Sequence, residues 1–337
     1  MVGRSSLLGL CGAGILARAN MRMMHPPDSS AERLSRAYCS LEGLSCGDSF
    51  GERFFIHPEL AVTLIEERSL PAPPWIFTDD TLMAISIVST LEEHSRIDPD
   101  YLAESFAKNY DSGRGYGPSM HKLLAEIRHQ PNSWRESARA LFGGQGSFGN
   151  GSAMRVAPLG AYFADDADRI AEEAALSAET THCHPEAVAG AVAVALAAAA
   201  AWKCRHEGHL LRRAQFLKWI SERTPSSEVR RGIERAANLR ERTTIDGAVG
   251  ALGNGKIASC PDTVPFALWS AACHLDSYEE AIWATVRGLG DRDTTCAIVG
   301  GIVVMYAGVE TIPTEWLAAR EPIPLHLMKN FRSRPGV

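Results

Sequence analysis

The 337-residue chain is long enough for one large core or two modest ones. Hydrophobic residues make up 45% and charged residues 22%, ordinary for a soluble globular protein, and a net charge of -6 argues against a nucleic-acid-binding surface. An acidic chain that takes an anionic substrate needs bound cations or oriented amides to reverse its field locally.

The first twenty residues have the outline of a short secretory signal: Arg4, an apolar run over 7–16, then Ala17-Arg18-Ala19. Gly9, Gly12 and Gly14 interrupt that run, so residues 1–30 read better as an unstructured extension or as a start codon placed ahead of Met21, Met23 or Met24. From 31 to 47 the spacing of Leu34, Tyr38, Leu41 and Leu44 predicts a helix. Gly43, Gly47 and Gly51 recur at every fourth position beside it, a smooth stripe where a second backbone can approach closely. Asp48 would sit next to that crossing as a supporting, hydrogen-bonded acid.

Thr78-Asp79-Asp80 precede an apolar stripe of Leu82, Ile85, Val88 and Leu91, and are helix-start residues. Residues 186–202 are almost all Ala, Val and Leu, hydrophobic around the full circumference, which predicts a central buried helix. No apolar stretch of transmembrane length runs uninterrupted, so no membrane span is expected. A last apolar helix over 295–307 carries Gly300-Gly301 for close contact. Period-two strands are absent, and the eight cysteines form no Cys-x-x-Cys pair. The expectation is one all-α domain over 31–332, in a cytoplasmic protein with reduced, packed thiols.

Three motifs lack the context that would give them meaning. Gly144-Gln145-Gly146-Ser147-Phe148-Gly149 matches G-x-G-x-x-G, but a helical segment rather than a strand precedes it. In Gly250 to Ile257, a near P-loop, Ile257 replaces the hydroxyl that would meet magnesium. His182-Cys183-His184 has no distant cysteine partners for zinc.

Two acid clusters remain, Thr78-Asp79-Asp80-Thr81 and Asp291-Arg292-Asp293-Thr294, each at the start of an apolar helix. Capping requires one side-chain acceptor, not two neighbouring carboxylates. Four acids brought together repel unless cations lie between them. Oxygen-only donors suit magnesium or manganese, and a pair of ions about 3.5–4 Å apart can orient a substrate and activate water.

The order of Gly47-Asp48 with Gly51, Thr78-Asp79-Asp80-Thr81, Gly149-Asn150-Gly151-Ser152-Ala153-Met154-Arg155, Thr181-His182 and Gly290-Asp291-x-Asp293-Thr294 resembles the ADP-ribosylglycohydrolase family. That family includes the dinitrogenase-reductase-activating glycohydrolases and the ADP-ribosylarginine and ADP-ribosylserine hydrolases. The resemblance implies a compact multi-helix fold and a magnesium-dependent hydrolase that removes ADP-ribose from a modified protein. It implies two Mg2+ ions, or Mn2+, on Thr78, Asp79, Asp80, Asp291, Asp293 and Thr294, with Asp80 and Asp293 as the catalytic carboxylates and Asp293 bridging both ions. Gly149, Asn150, Gly151, Ser152 and Met154 would meet the pyrophosphate. His182 and the Gly115-Tyr116-Gly117 loop would shape the pocket, and the Gly253-Asn254-Gly255 turn would line its adenosine end.

The pattern departs from the family at two places. Asp291-Arg292-Asp293 carries Arg where many members carry Thr or Ser. Where serine-directed members carry a Glu shortly after Gly-Asp, this chain has Phe55, with Glu52 one helical turn earlier. An arginine-type N-glycosidic linkage is thereby slightly favoured. Hydrolysis of small ADP-ribose esters such as O-acetyl-ADP-ribose, or binding and shielding without turnover, are the alternatives. No nucleic-acid or membrane partner is expected.

Overall fold

A computed structural model describes residues 29–328. The signal-like run lies outside the described residues. Among these, seventeen α-helices and three 3₁₀ turns succeed one another, with no strand beyond two isolated bridges. The all-α fold expected from the sequence is the one that forms.

Helix α1 (Ser30–Glu52) opens with a capping box in which Ser29 and Glu32 each satisfy the other's backbone amide. It runs five residues beyond the predicted end, and so includes both Gly47 and Gly51. Helix α2 spans Asp79–His94, α3 Pro185–His206, α4 Cys260–Cys273 and α5 Arg292–Ala307. The glycine stripe of α1 packs antiparallel against α5. A Cβ on Gly43, Gly47 or Gly51 would stand 2.4, 2.2 or 2.3 Å from the carbonyl oxygen of Gly300, Cys296 or Arg292. No side chain fits there, so the four-residue spacing read from the sequence is the footprint of this crossing. Tyr278 seals it by donating from its hydroxyl to Gly43 O at 2.6 Å.

Helix α3 is the central rod. Its 22 residues are long and apolar enough to cross a membrane by length and composition, contrary to the expectation, but 83% of the apolar window is buried inside the protein. Gly160 lets the Ala157–Tyr162 helix close on it, since a Cβ there would stand 2.0 Å from Ala195 O. At the end of α1, Phe50 stacks on Trp316 with centroids 4.3 Å apart, and Trp75 and Trp283 meet it edge-on. The segment before α2 is fixed to the C-terminal region: Trp75 N donates to Ala319 O at 2.7 Å and Phe77 N to Glu321 Oε1 at 2.9 Å. These contacts set where Thr78 and the first acid pair begin.

Candidate active site

At the start of α2 the capping work falls to residues other than the acid pair. Thr78 Oγ1 accepts from Asp80 N at 3.3 Å. Asp48, fully buried on α1 one residue after Gly47, accepts from Thr78 N at 3.0 Å and from Thr81 N at 3.1 Å. It also accepts from the hydroxyls of Thr78 at 2.9 Å and Thr81 at 2.5 Å. Asp48 is thus the supporting acid the sequence suggested. Asp79 and Asp80 are released from capping, and Asp80 Oδ1 is buried without a hydrogen-bond partner among the described residues.

The second pair is held differently. Asp291 precedes α5 but makes no side-chain cap. Its Oδ2 instead accepts from Asn150 Nδ2 at 2.7 Å, while Asp293 Oδ1 accepts from Thr294 N at 2.8 Å. The Gly253-Asn254-Gly255 turn, expected at the adenosine end, clamps this loop from behind. Asn254 O accepts from Asp291 N at 3.1 Å, and a Cβ on Gly290 would stand 1.9 Å from that oxygen. Arg292 turns away from the acids, donating to Phe54 O at 3.0 Å with its guanidinium 5.0 Å from the Phe55 ring centroid.

Burial and mutual repulsion disfavour charge on this cluster. Desolvation, then Asp48 and its neighbours, pushes Asp79 up to about 8. Asp80 and Asp293 are raised well above the usual carboxylate range for the same reasons. Cations would relieve both effects. The donor set is hard oxygen throughout, with the unpartnered Asp80 Oδ1 among it, and it fits magnesium or manganese. Among the described residues no three His, Cys, Asp or Glu side chains are arranged to hold an ion as they stand. Asp291 and Asp293 each have one carboxylate oxygen engaged by a hydrogen-bond donor, which leaves each carboxylate lone pairs that could meet an ion.

Both pairs border one cleft of about 360 Å³. A larger hollow of about 770 Å³ lies elsewhere, lined by residues between Leu210 and Arg287 and by none of these acids. Asp79, Asp80, Asp291, Asp293 and Thr294 form its floor, and Gly115, Gly117, Gly149, Asn150, Gly151, Met154 and His182 its walls. Gly115, at φ +88°, lets its loop lie against Asp79, and Asp79 N donates to Arg114 O at 2.8 Å.

Three predicted residues do not face the cleft. Thr78 lies behind the acids, its hydroxyl between Asp48 and Asp80. Tyr116 turns into the core beside Tyr110, with centroids 5.0 Å apart. Ser152 is fully buried and donates to Ala187 O on α3 at 2.9 Å, so only the backbone of its turn is free to meet a ligand. The sequence reading missed Phe142, Phe148 and Ile257, which border the cleft as exposed apolar groups. The rings of Phe142 and Phe148 lie 6.4 Å apart. They sit in turns with no periodicity to betray them; the only signal was their exposure to be expected beside consecutive glycines.

A family model described as ADP-ribosylglycohydrolase matches residues 29–331. The chain belongs to the ADP-ribosylglycohydrolase family. The ADP-ribosylhydrolase ARH3 of Mus musculus is 28% identical over 86% of this chain and 88% of its own. That of Homo sapiens is 28% identical over 85% and 89%. A protein of Archaeoglobus fulgidus is 30% identical over 74% of this chain and 76% of its own. Among solved structures, an ADP-ribosylglycohydrolase-related protein complex superposes with a TM-score of 0.59 at 23% identity, over 86% of this chain and 94% of that one, which shows the shared fold. As an ADP-ribosylglycohydrolase, the protein is a hydrolase acting on ADP-ribose linkages.

Proposed function

We propose that this glycohydrolase removes ADP-ribose from a modified protein side chain and requires magnesium to do so. The observation that carries the reading is the convergence on one cleft of two acid pairs, Asp79-Asp80 buried and Asp291-Asp293 partly buried, in which none of Asp79, Asp80 and Asp291 caps a helix through its side chain. Asp79, Asp80, Asp291, Asp293 and Thr294, with Thr78 behind them, would hold two Mg2+ ions. When bound, these supply Lewis acidity and a template for ribose hydroxyls and water. Asp80 and Asp293 would be the catalytic carboxylates, each helping to hold the ions.

The chain's own groups account for the rest of the ligand. The amides that open the Gly151–Met154 turn have no intrahelical acceptor and suit the oxygens of a pyrophosphate. The exposed rings of Phe142 and Phe148 offer flat apolar surface to a base. For the acceptor, Phe55 in place of a Glu supports an arginine-type N-glycosidic linkage. Glu52 supports the second reading, an O-linked acceptor. Its half-buried carboxyl is raised by desolvation and by Asp48 and Asp291, the setting of a proton donor.

Release of ADP-ribose from Arg-, Ser- and Asn/Asp-linked substrates and from O-acetyl-ADP-ribose, with and without magnesium, tests the reading. Release from arginine alone, lost on chelation, is the expected result. Binding of ADP-ribose with no release from any linkage would leave a shielding protein instead.

A further inference from the structure

His182 packs against the Gly149–Gly151 turn, and its two ring nitrogens have unequal surroundings. Nε2 lies on the turn side, 3.3 Å from where a Cβ on Gly149 would stand and 2.9 Å from one on Gly151. Nδ1 lies 2.7 Å from Thr181 Oγ1. That hydroxyl also stands 2.9 Å from Arg155 Nη2. A guanidinium only donates, so Thr181 Oγ1 accepts from Arg155 and has one hydrogen left to give. Nδ1 is the acceptor within reach. A hydrogen on Nδ1 would instead leave a fully buried hydroxyl with no acceptor, at a cost comparable to a lost hydrogen bond.

Arg155 itself needs an explanation. It is completely buried and pairs with no carboxylate among the described residues. Ser177 O accepts from it at 3.0 Å, Met83 Sδ lies at 3.5 Å, and its guanidinium sits 4.4 Å from the Phe106 ring centroid. A neutral side chain could fill that volume without the penalty of a desolvated charge. What a neutral chain could not do is both donate to Thr181 and repel a second proton from the imidazole behind it. Burial, with Arg155 as the second cause, takes His182 down to about 3, so the ring stays neutral at physiological pH.

We infer that Arg155 and Thr181 are positioning residues that lock His182 as the Nε2–H tautomer, a fixed neutral donor to an anionic oxygen of the substrate's diphosphate. The identity of the anion rests on the ADP-ribose reading above; the tautomer does not. The lone pair of Nδ1 is occupied by Thr181, which makes His182 a binding group and removes it as a general base. Thr181-His182 and Arg155, two separate pieces of the sequence pattern, thus serve one donor.

Long-range ring ¹H–¹⁵N spectra of the full chain labelled with [¹⁵N]histidine test this, with His182 assigned by its loss in His182→Gln. The unsubstituted protein and Thr181→Ser should show the Nε2–H pattern, unchanged from about pH 5.5 to 8 given the reference histidine value near 6.5. Thr181→Val, which keeps the shape and removes the hydroxyl, should show mixed tautomers. Its affinity for ADP-ribose should fall roughly tenfold, while Thr181→Ser stays within about twofold. An Nδ1–H or imidazolium pattern in the unsubstituted protein would overturn the inference without any variant. So would Thr181→Val with unchanged tautomer and unchanged affinity. Failure of the unsubstituted protein to bind ADP-ribose would overturn the functional reading instead, while the spectrum still decides the tautomer.

Discussion

At the start of α2 the acid pair is held from within the core: Asp48, on the neighbouring α1, accepts from two backbone amides and two hydroxyls, and Thr78 completes the cap. At the start of α5 the pair is held by loops, Asn150 reaching Asp291 from one side and Asn254 gripping its backbone from the other. The first pair is placed by helix packing. The second depends on turns whose glycines must keep a close approach. A site built this way has one wall set by helices and one set by turns, and substitutions should separate the two.

The largest effect is expected where the comparison predicts no difference. Asp80→Ala and Asp293→Ala should each lower kcat by about a thousandfold or more and weaken magnesium binding, since on the proposed reading the carboxylates of both walls hold the ions. Turnover assays with isothermal titration of Mg2+ check this, and full activity of both variants in chelated buffer would remove the mechanism. Asp48→Asn should come next. It places an amide where threonine donors require an acceptor, costing about 2–3 kcal/mol of stability and roughly 10- to 100-fold in magnesium affinity. Urea unfolding and the same titration give both numbers. Asn150→Ala should cost a similar 10- to 100-fold in affinity at most, but only about 1–2 kcal/mol of stability, because its hydrogen bonds to Asp291 and Thr263 are lost while no helix start is uncapped. Equal destabilisation by Asp48→Asn and Asn150→Ala would erase the distinction between the walls. Arg292→Ser should matter least, about 1 kcal/mol in unfolding from the lost contact with Phe55, and kcat within about twofold. A large fall in kcat would place Arg292 in the chemistry it faces away from here.

The parts of the molecule that were legible in the sequence are those where a residue type leaves only one physical use. Three glycines at a four-residue spacing with apolar neighbours can only be a helix crossing, and the crossing is there. Two carboxylates side by side before a helix exceed what a cap needs, and the structure shows Thr78 and Asp48 doing the capping. Side-chain direction was not legible. Ser152 and Tyr116 carry polar groups in glycine-rich runs, and nothing local says that one donates to Ala187 O while the other turns into the core. Phe142 is no more legible, since it sits at φ +52° in a turn, where helical periodicity has no meaning. The burial of α3 was legible, since residues apolar around the whole circumference predict a core helix, and its packing against the Ala157–Tyr162 helix and α4 is what covers it.

The crossing of α1 and α5 has a consequence for what evolution can alter. Gly51 rests on the carbonyl of Arg292, the residue between the two acids of the second pair, while Asp48 anchors the first pair one turn earlier. The crossing therefore works as a vernier between the two halves of the site. One residue inserted between Gly43 and Gly51 would rotate the downstream part of α1 by about 100° and present a side chain where only hydrogen fits. This interval, with no ligand of its own, should admit neither insertion nor deletion.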